Sequence, residues 1–334
     1  MSSQKKGILD RFKDGEVVIA AEGYIMELER RGYCKFGSFV PEVVLDRPEK
    51  VEELARELVY AGADMCQAFT TLNQRAHEIA KKVAEETGVL FCSGVGTTNV
   101  YDPNSPEKMQ KCEELLREQI AFSAKYGVDY ICIETLWDYG EASIALKVCK
   151  EFNIPAVITL APVDFSGEMK TFDGYKLGDA LKLLEDEGAA CVGLNCARGP
   201  ETIIPLIRDI RKQIKGPLAC VCLGYKTTEE ECTWYMLKHP RTGVKSFPMN
   251  LLAHCLGRSD LEWYAKELKD IGVNYVGMCC GNCPTYTRTI AMEFGRTPPA
   301  AKYVSDLEKN SMKGANRTTG DRYAALGEFM GMAI

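Results

Sequence analysis

Cysteine is the residue type most able to do chemistry in this sequence, with fifteen cysteines against three histidines. Most lie inside apolar runs or helical patterns. Cys66, Cys92, Cys132, Cys149, Cys191 and Cys220 read as small hydrophobic side chains, and Cys34, Cys112, Cys222, Cys232 and Cys255 carry no stronger signal. Three differ by position. Cys196 ends the run Ala190–Cys196 in a GLNC phrase, and Cys279 and Cys280 end the run Asn274–Cys280 in GMCCGNC. Adjacent cysteines on a regular strand would point to opposite faces. At a strand end the backbone can turn, and Gly281 permits the bend, so both sulfurs can face one ion with Cys196 as a third ligand. Three thiolates and one open position suit a catalytic Zn²⁺, and bound zinc lowers the pKa of an incoming thiol, which favours sulfur alkylation. The same spacing has other readings. Cys283, at C-x-x-C distance from Cys280, would close the site around a structural ion or form a redox pair, and the cluster could also be inert.

These cysteines need elements that bring them together. Eight short apolar runs read as strands: Val17–Ala20, Ala63–Phe69, Val89–Val95, Asp129–Thr135, Pro155–Ala161, Ala190–Cys196, Pro217–Leu223 and Asn274–Cys280. Helical patterns alternate with them over Pro48–Gly62, Asn73–Thr87, Pro106–Tyr126, Tyr139–Glu151, Lys176–Glu187, Pro200–Lys215, Asp260–Asp270 and Pro284–Phe294. Several close on a glycine that stops the helix before the next strand. This rhythm predicts an α/β fold, a (β/α)8 TIM barrel, whose active sites form at the C-terminal ends of the strands. A doubly wound open sheet competes, but no GxGxxG follows the first strand. Three stretches break the rhythm: a long first loop (Gly23–Pro48), an excursion after strand seven (Gly224–Gly257) and a C-terminal extension. The expected organisation is a zinc-dependent barrel over residues 1–297 and an extension over residues 298–334 that serves as an arm for a homodimer or homotetramer.

Composition narrows the function classes. The net charge is 41 − 47 = −6 with no strong basic block, so nucleic acid is not an expected partner. No apolar run reaches the roughly 18 residues of a membrane helix. The polar start MSSQKKGILDRFKDGE and the odd cysteine count fit a reducing cytoplasm.

From Lys6 to Arg296 the sequence resembles the homocysteine S-methyltransferase family, most closely its betaine-dependent members. KKGILDRFKDGEVVI (Lys5–Ile19), LERRGY (Leu28–Tyr33), QAFT (Gln67–Thr70), IET (Ile133–Thr135), GLNC (Gly193–Cys196) and GMCCG (Gly277–Gly281) carry the resemblance. It implies a zinc-dependent barrel that methylates homocysteine, with Cys196, Cys279 and Cys280 as zinc ligands and Cys283 outside the set. It also implies that Glu134 receives the substrate ammonium, with Gln67 nearby and the backbone at Glu22 and Gly23 holding the amino acid. Thr97 and Thr98 join that group on barrel position alone.

The methyl-donor side departs from the family pattern. The family aspartate of the first strand falls on Ala21, beside Glu22. A family Phe-Tyr pair falls on Thr71 and Leu72, a second tyrosine on Thr135, and the tryptophan of the first loop on Phe39. An onium head can instead sit against aromatic faces, for which Tyr24, Phe39, Trp137 and Tyr139 are the local candidates, with Leu72 in place of the enclosing tyrosine. Arg198, His239 and His254 are the candidates to meet a donor carboxylate. These changes tilt the expected donor to a sulfonium, dimethylsulfoniopropionate or S-methylmethionine, over glycine betaine; a folate donor fits less well. A thiol oxidoreductase and a non-catalytic assembly barrel are the competing classes.

Overall fold

The computed structural model describes residues 5–35, 42–68, 74–163 and 167–305. The chain runs α1 (Ile8–Lys13), β1 (Val18–Ala21), α2 (Ile25–Arg30), α3 (Val43–Asp46), α4 (Pro48–Tyr60), β2 (Met65–Ala68), α5 (Gln74–Thr87), β3 (Leu90–Val95), α6 (Pro106–Tyr126), β4 (Tyr130–Leu136), α7 (Tyr139–Glu151), β5 (Ala156–Leu160), α8 (Leu177–Asp186), β6 (Cys191–Asn195), α9 (Pro200–Arg211), β7 (Leu218–Cys222), α10 (Arg258–Ile271), β8 (Tyr275–Met278) and α11 (Pro284–Glu293). All eight expected strands are present, each within a few residues of its sequence bounds.

The strands form one parallel sheet in the order β1-β8-β7-β6-β5-β4-β3-β2. The two ends meet through Asp64: its N–H donates to the Ile19 carbonyl (2.9 Å), and its carboxylate accepts from the Ile19 N–H (2.7 Å). The result is a nearly closed (β/α)8 TIM barrel. Strands covered on both faces read as continuous apolar runs, and alternation sorts their side chains. Tyr130, Cys132, Val157, Cys191, Val221 and Tyr275 pack in one core cluster, within the barrel. Ile131, Ile133, Ile158, Val192, Cys220 and Val276 pack in a second, against the helices. The six cysteines read as small hydrophobes are all buried, and all fifteen are free thiols.

Local signals explain where the helices stop. α6 begins on Ser105, whose hydroxyl accepts from the Lys108 N–H, has Pro106 in its first turn and ends on Gly127 at φ +71°. Past α11 the chain makes a short 3-10 turn, Pro299–Tyr303; residues 306–334, most of the expected extension, lie outside the described residues. Among the described residues no helix is long and apolar enough to cross a membrane.

Candidate active site

The three singled-out cysteines meet at the C-terminal mouth of the barrel. β6 ends at Asn195 and β8 at Met278, so each sulfur lies just beyond its strand. Both turns hang from β7: the Cys196 N–H donates to the Val221 carbonyl (2.9 Å) and the Cys279 N–H to the Cys222 carbonyl (2.7 Å). Cys196 and Ala197 both take φ +57°, a left-handed conformation that non-glycine residues hold only when their surroundings enforce it. On the other flank Gly23 (φ +68°) comes so close that an added Cβ would lie 2.2 Å from the Cys279 carbonyl oxygen.

The Cys196 and Cys280 sulfurs lie 4.0 Å apart and those of Cys279 and Cys280 3.9 Å apart; all three fall within 4.8 Å of one another. Thiolates bound tetrahedrally to one ion at about 2.3 Å are separated by about 3.8 Å, so these residues fit a metal centre. Hydrogen bonds with Cys279 and Cys280 hold the Cys196 thiol well below the usual range. Cys279 is pushed up by its contact with Cys196, and Cys280 by its contacts with Cys196 and Cys279. Cys283 is absent from the group; it sits at the residue before α11, where burial raises its thiol.

A carboxyl pair adjoins the sulfurs. Glu22, Glu134 and Cys279 place their ligand atoms within 4.8 Å of one another. Glu22 is fully buried at the top of the barrel core, where it accepts from the Tyr275 hydroxyl (3.2 Å) and the Cys132 thiol (3.4 Å). Burial, with Glu134 and Cys279, pushes its carboxyl well above the usual range. Glu134 is pushed up to about 7 by burial and by Cys279, against hydrogen bonds from Gln67 and Glu22. The proton therefore rests on Glu22, and Glu134, facing the cleft, is the member free to carry charge. The Gln67 amide donates to its Oε1 at 2.6 Å.

Asn195 ties these parts together, and sequence reasoning missed it. Fully buried, it accepts from the Thr135 N–H (2.9 Å) and donates to the Thr135 hydroxyl (2.8 Å), with longer contacts to Glu134 (3.5 Å) and the Cys279 sulfur (3.8 Å). It holds Thr135 at φ +61° where β4 shifts register. The available signal was its place as the last strand residue before Cys196 in GLNC.

A cleft of about 420 Å³ opens above the site, lined among others by Gly23, Tyr24, Gln67, Thr97, Glu134, Trp137 and the three cysteines. Of the donor-side candidates, Tyr24 and Trp137 are therefore at the cleft. The Tyr24 hydroxyl donates to the Gln67 carbonyl (3.0 Å), and the Trp137 ring lies 5.2 Å from Phe172. Tyr139 points along the outside of α7, donating to Glu187. Thr98 turns away to the buried Glu141, which the Thr97 hydroxyl also reaches at 2.8 Å. Phe39 and Leu72 lie outside the described residues. Arg198 is buried and donates to the Pro162 carbonyl, and His254 pairs with the Ser246 hydroxyl. His239, too, is absent from the cleft lining. Two aromatics that line the cleft, Trp234 and Tyr235, were not among the expected site residues.

This geometry agrees with three comparisons. The family model described as homocysteine S-methyltransferase matches residues 63–294. An S-methylmethionine–homocysteine S-methyltransferase of Pongo abelii is 31% identical over 320 residues, covering 89% of this chain and 85% of that protein. Betaine–homocysteine S-methyltransferase 1 of Xenopus tropicalis is 32% identical over 329 residues, covering 89% and 79%. In fold, the chain is similar to the metallated homocysteine methyltransferase MmuM of Escherichia coli, with a TM-score of 0.64, 17% identity, and coverage of 85% of this chain and 99% of that one. A barrel with three sulfurs gathered at its mouth, a matching family model over most of its length and relatives aligned nearly end to end lead to one conclusion: the chain is an enzyme of the homocysteine S-methyltransferase family.

Proposed function

We propose that this enzyme transfers a methyl group from a small onium donor to homocysteine, giving methionine, with Zn²⁺ held by Cys196, Cys279 and Cys280. The observation that carries this reading is the adjacency of the sulfur triad and Glu134 at one cleft. Homocysteine has a thiol and an ammonium separated by three carbons, and the two ends of the site match those two groups. Bound zinc supplies Lewis acidity, which keeps an incoming thiol in its thiolate form at neutral pH. Glu134, braced by Gln67, receives the ammonium, and pairing with a cation favours its charged form. Tyr24 and Trp137 offer ring faces to the onium head. The substrate thiolate then attacks the donor methyl carbon in line. A carbon–sulfur bond forms, the bond from that carbon to the onium atom breaks, and the donor leaves as a neutral amine or thioether with the electron pair. The protein contributes alignment and a sheltered site.

Glycine betaine is the donor the relatives support best, against the tilt to dimethylsulfoniopropionate that the altered donor residues produce. A sulfonium remains the second reading, favoured by Thr135 at a family tyrosine position and by the relative named for S-methylmethionine. The test is methionine formation from homocysteine with glycine betaine, S-methylmethionine, dimethylsulfoniopropionate and S-adenosylmethionine, before and after metal removal and zinc return. Zinc-dependent methionine formation with one of the first three is expected. No methionine from any donor would sink the proposal.

A further inference from the structure

The excursion between β7 and α10 brings an aromatic pair to the cleft. The Trp234 backbone N–H donates to the Ala197 carbonyl at 3.0 Å, one residue beyond Cys196, so the pair is pinned to the turn that carries the first sulfur. Trp137 packs against the small apolar cluster of Ala161, Val163 and Ala197. The aromatic rim therefore continues from the end of β4 to the excursion. Within it Trp234 is 5% exposed and Tyr235 36% exposed. The Tyr235 ring lies 4.8 Å from Phe247 and 5.5 Å from Trp234, edge-on at 65° and 68°. Phe247 and Trp234 also pack together, at 4.9 Å. Trp234 and Tyr235 line the same cleft as Cys196, Cys279 and Cys280.

Burial raises the Tyr235 phenol most, and the Trp234 indole acts the other way. That indole N–H is buried and makes no hydrogen bond of normal geometry among the described residues.

We infer that Tyr235 is a donor-positioning residue: its ring closes the rim where a methylated cation approaches the sulfur triad, and Trp234 with Phe247 fixes its orientation. The chain has Leu72 and Thr135 where its family carries tyrosines, and Tyr235 returns a phenol ring to the cleft from a different connection. The inference deepens the methyl-transfer reading and rests on it for the role of the bound cation. No cationic side chain lines the cleft among the described residues, so ring faces are its means of holding an onium head.

The test uses the full-length, zinc-loaded protein with Tyr235→Leu and Tyr235→Phe. Tetramethylammonium, which carries no carboxylate, probes the rim by tryptophan fluorescence, since Trp137 and Trp234 both belong to it. The leucine variant should weaken that binding, and lower kcat/KM for the onium donor, by roughly tenfold. Zinc content and homocysteine affinity should stay within about twofold, and the phenylalanine variant should recover to within about threefold of wild type. Unchanged donor kcat/KM in the leucine variant, a parallel loss of zinc or homocysteine binding, a phenylalanine variant as weak as leucine, or no binding of tetramethylammonium to the wild type would each overturn the inference. Failure of the broader reading looks different: tetramethylammonium binds in a Tyr235-dependent way, yet no donor yields methionine.

Discussion

The sulfur side of the cleft is built on strands, and the aromatic side on connections. Cys196 and Cys279 take their backbone hydrogen bonds from β7, Glu134 lies within β4, and Asn195 joins the two. Gly23 presses the end of β1 against the Cys279 carbonyl. The aromatic side has no such frame. Trp137 follows β4 and leans on Phe172, from the connection after β5, while Trp234 and Tyr235 belong to the long excursion. Strand ends fix interatomic distances to a few tenths of an ångström, as metal chemistry demands. Connections tolerate change without disturbing the barrel. The difference separates what is constant in the reaction, activation of a thiol, from what can drift, the identity of the methylated cation.

The largest effect should come from breaking the strand-built side. Cys279→Ala removes a sulfur shared by the triad and the carboxyl group. Metal retention should fall from stoichiometric to near zero, and methionine formation by roughly a thousandfold or more. Metal analysis of the purified variant, beside its activity, checks this. A variant that keeps both would mean that the sulfur cluster is not the reaction centre. Glu134→Gln tests the other end of the same side. It keeps the shape and removes the charge, so the KM for homocysteine should rise roughly 10- to 100-fold, the range of a charge-assisted hydrogen bond. The KM for the donor should change little. Equal losses for both substrates would erase the boundary between the two sides.

The aromatic side should yield smaller, selective effects. Asp173, on the connection after β5, accepts from the N–H groups of Tyr139 (3.0 Å) and Gly140 (2.8 Å), and the Phe172 N–H donates to the Trp137 carbonyl (2.9 Å). It caps α7 from outside the helix and so anchors the segment that carries Trp137. Asp173→Ala should remove about 1 kcal/mol of stability, a shift of about 2–4 °C in Tm. It should also raise the donor KM a few fold while leaving homocysteine binding intact. Calorimetry with initial rates for each substrate would show whether the two connections act together.

The same division governs what could be read from the sequence. The strands were legible because runs buried on both faces are continuously apolar, and glycines punctuate the helices between them. The sulfur triad was legible because it sits at the ends of two such runs. Asn195 was hidden in the GLNC phrase because its partners, Thr135 and Cys279, are far away in sequence. Tyr139 was a donor candidate through its closeness to Glu134 along the chain, but α7 turns it outward to Glu187. Trp234 and Tyr235 sit in a stretch with no helix or strand period, where nothing in the sequence orients a side chain. Their place at the cleft depends on contacts with Ala197 and Phe247 that only the fold supplies.

The smallest effect concerns charge on the aromatic side. Asp138 precedes α7 without capping it through its side chain. Burial, and then the neighbouring carboxylates of Asp173 and Glu141, push its carboxyl up to about 6, against a hydrogen bond from the Asp173 backbone. The Tyr101 phenol, with Tyr175 and Cys112 beside it, also faces this cluster. An aspartate in the unfolded chain ionises near pH 4, about two units lower. Between those values the folded state holds the proton more tightly. The stabilisation linked to this group is therefore complete below about pH 4 and is lost as the pH rises through about 6. Asp138→Asn keeps an acceptor for the Asp173 N–H and removes the charge. The variant should nearly match wild type in Tm near pH 4 and exceed it by about 1–3 °C at pH 8, with the gap opening between about pH 4 and 6 and levelling off above. A gap of constant size across that range would mean that Asp138 is already relaxed by solvent. The connection-built side would then tolerate its buried charge as freely as its changes of ring.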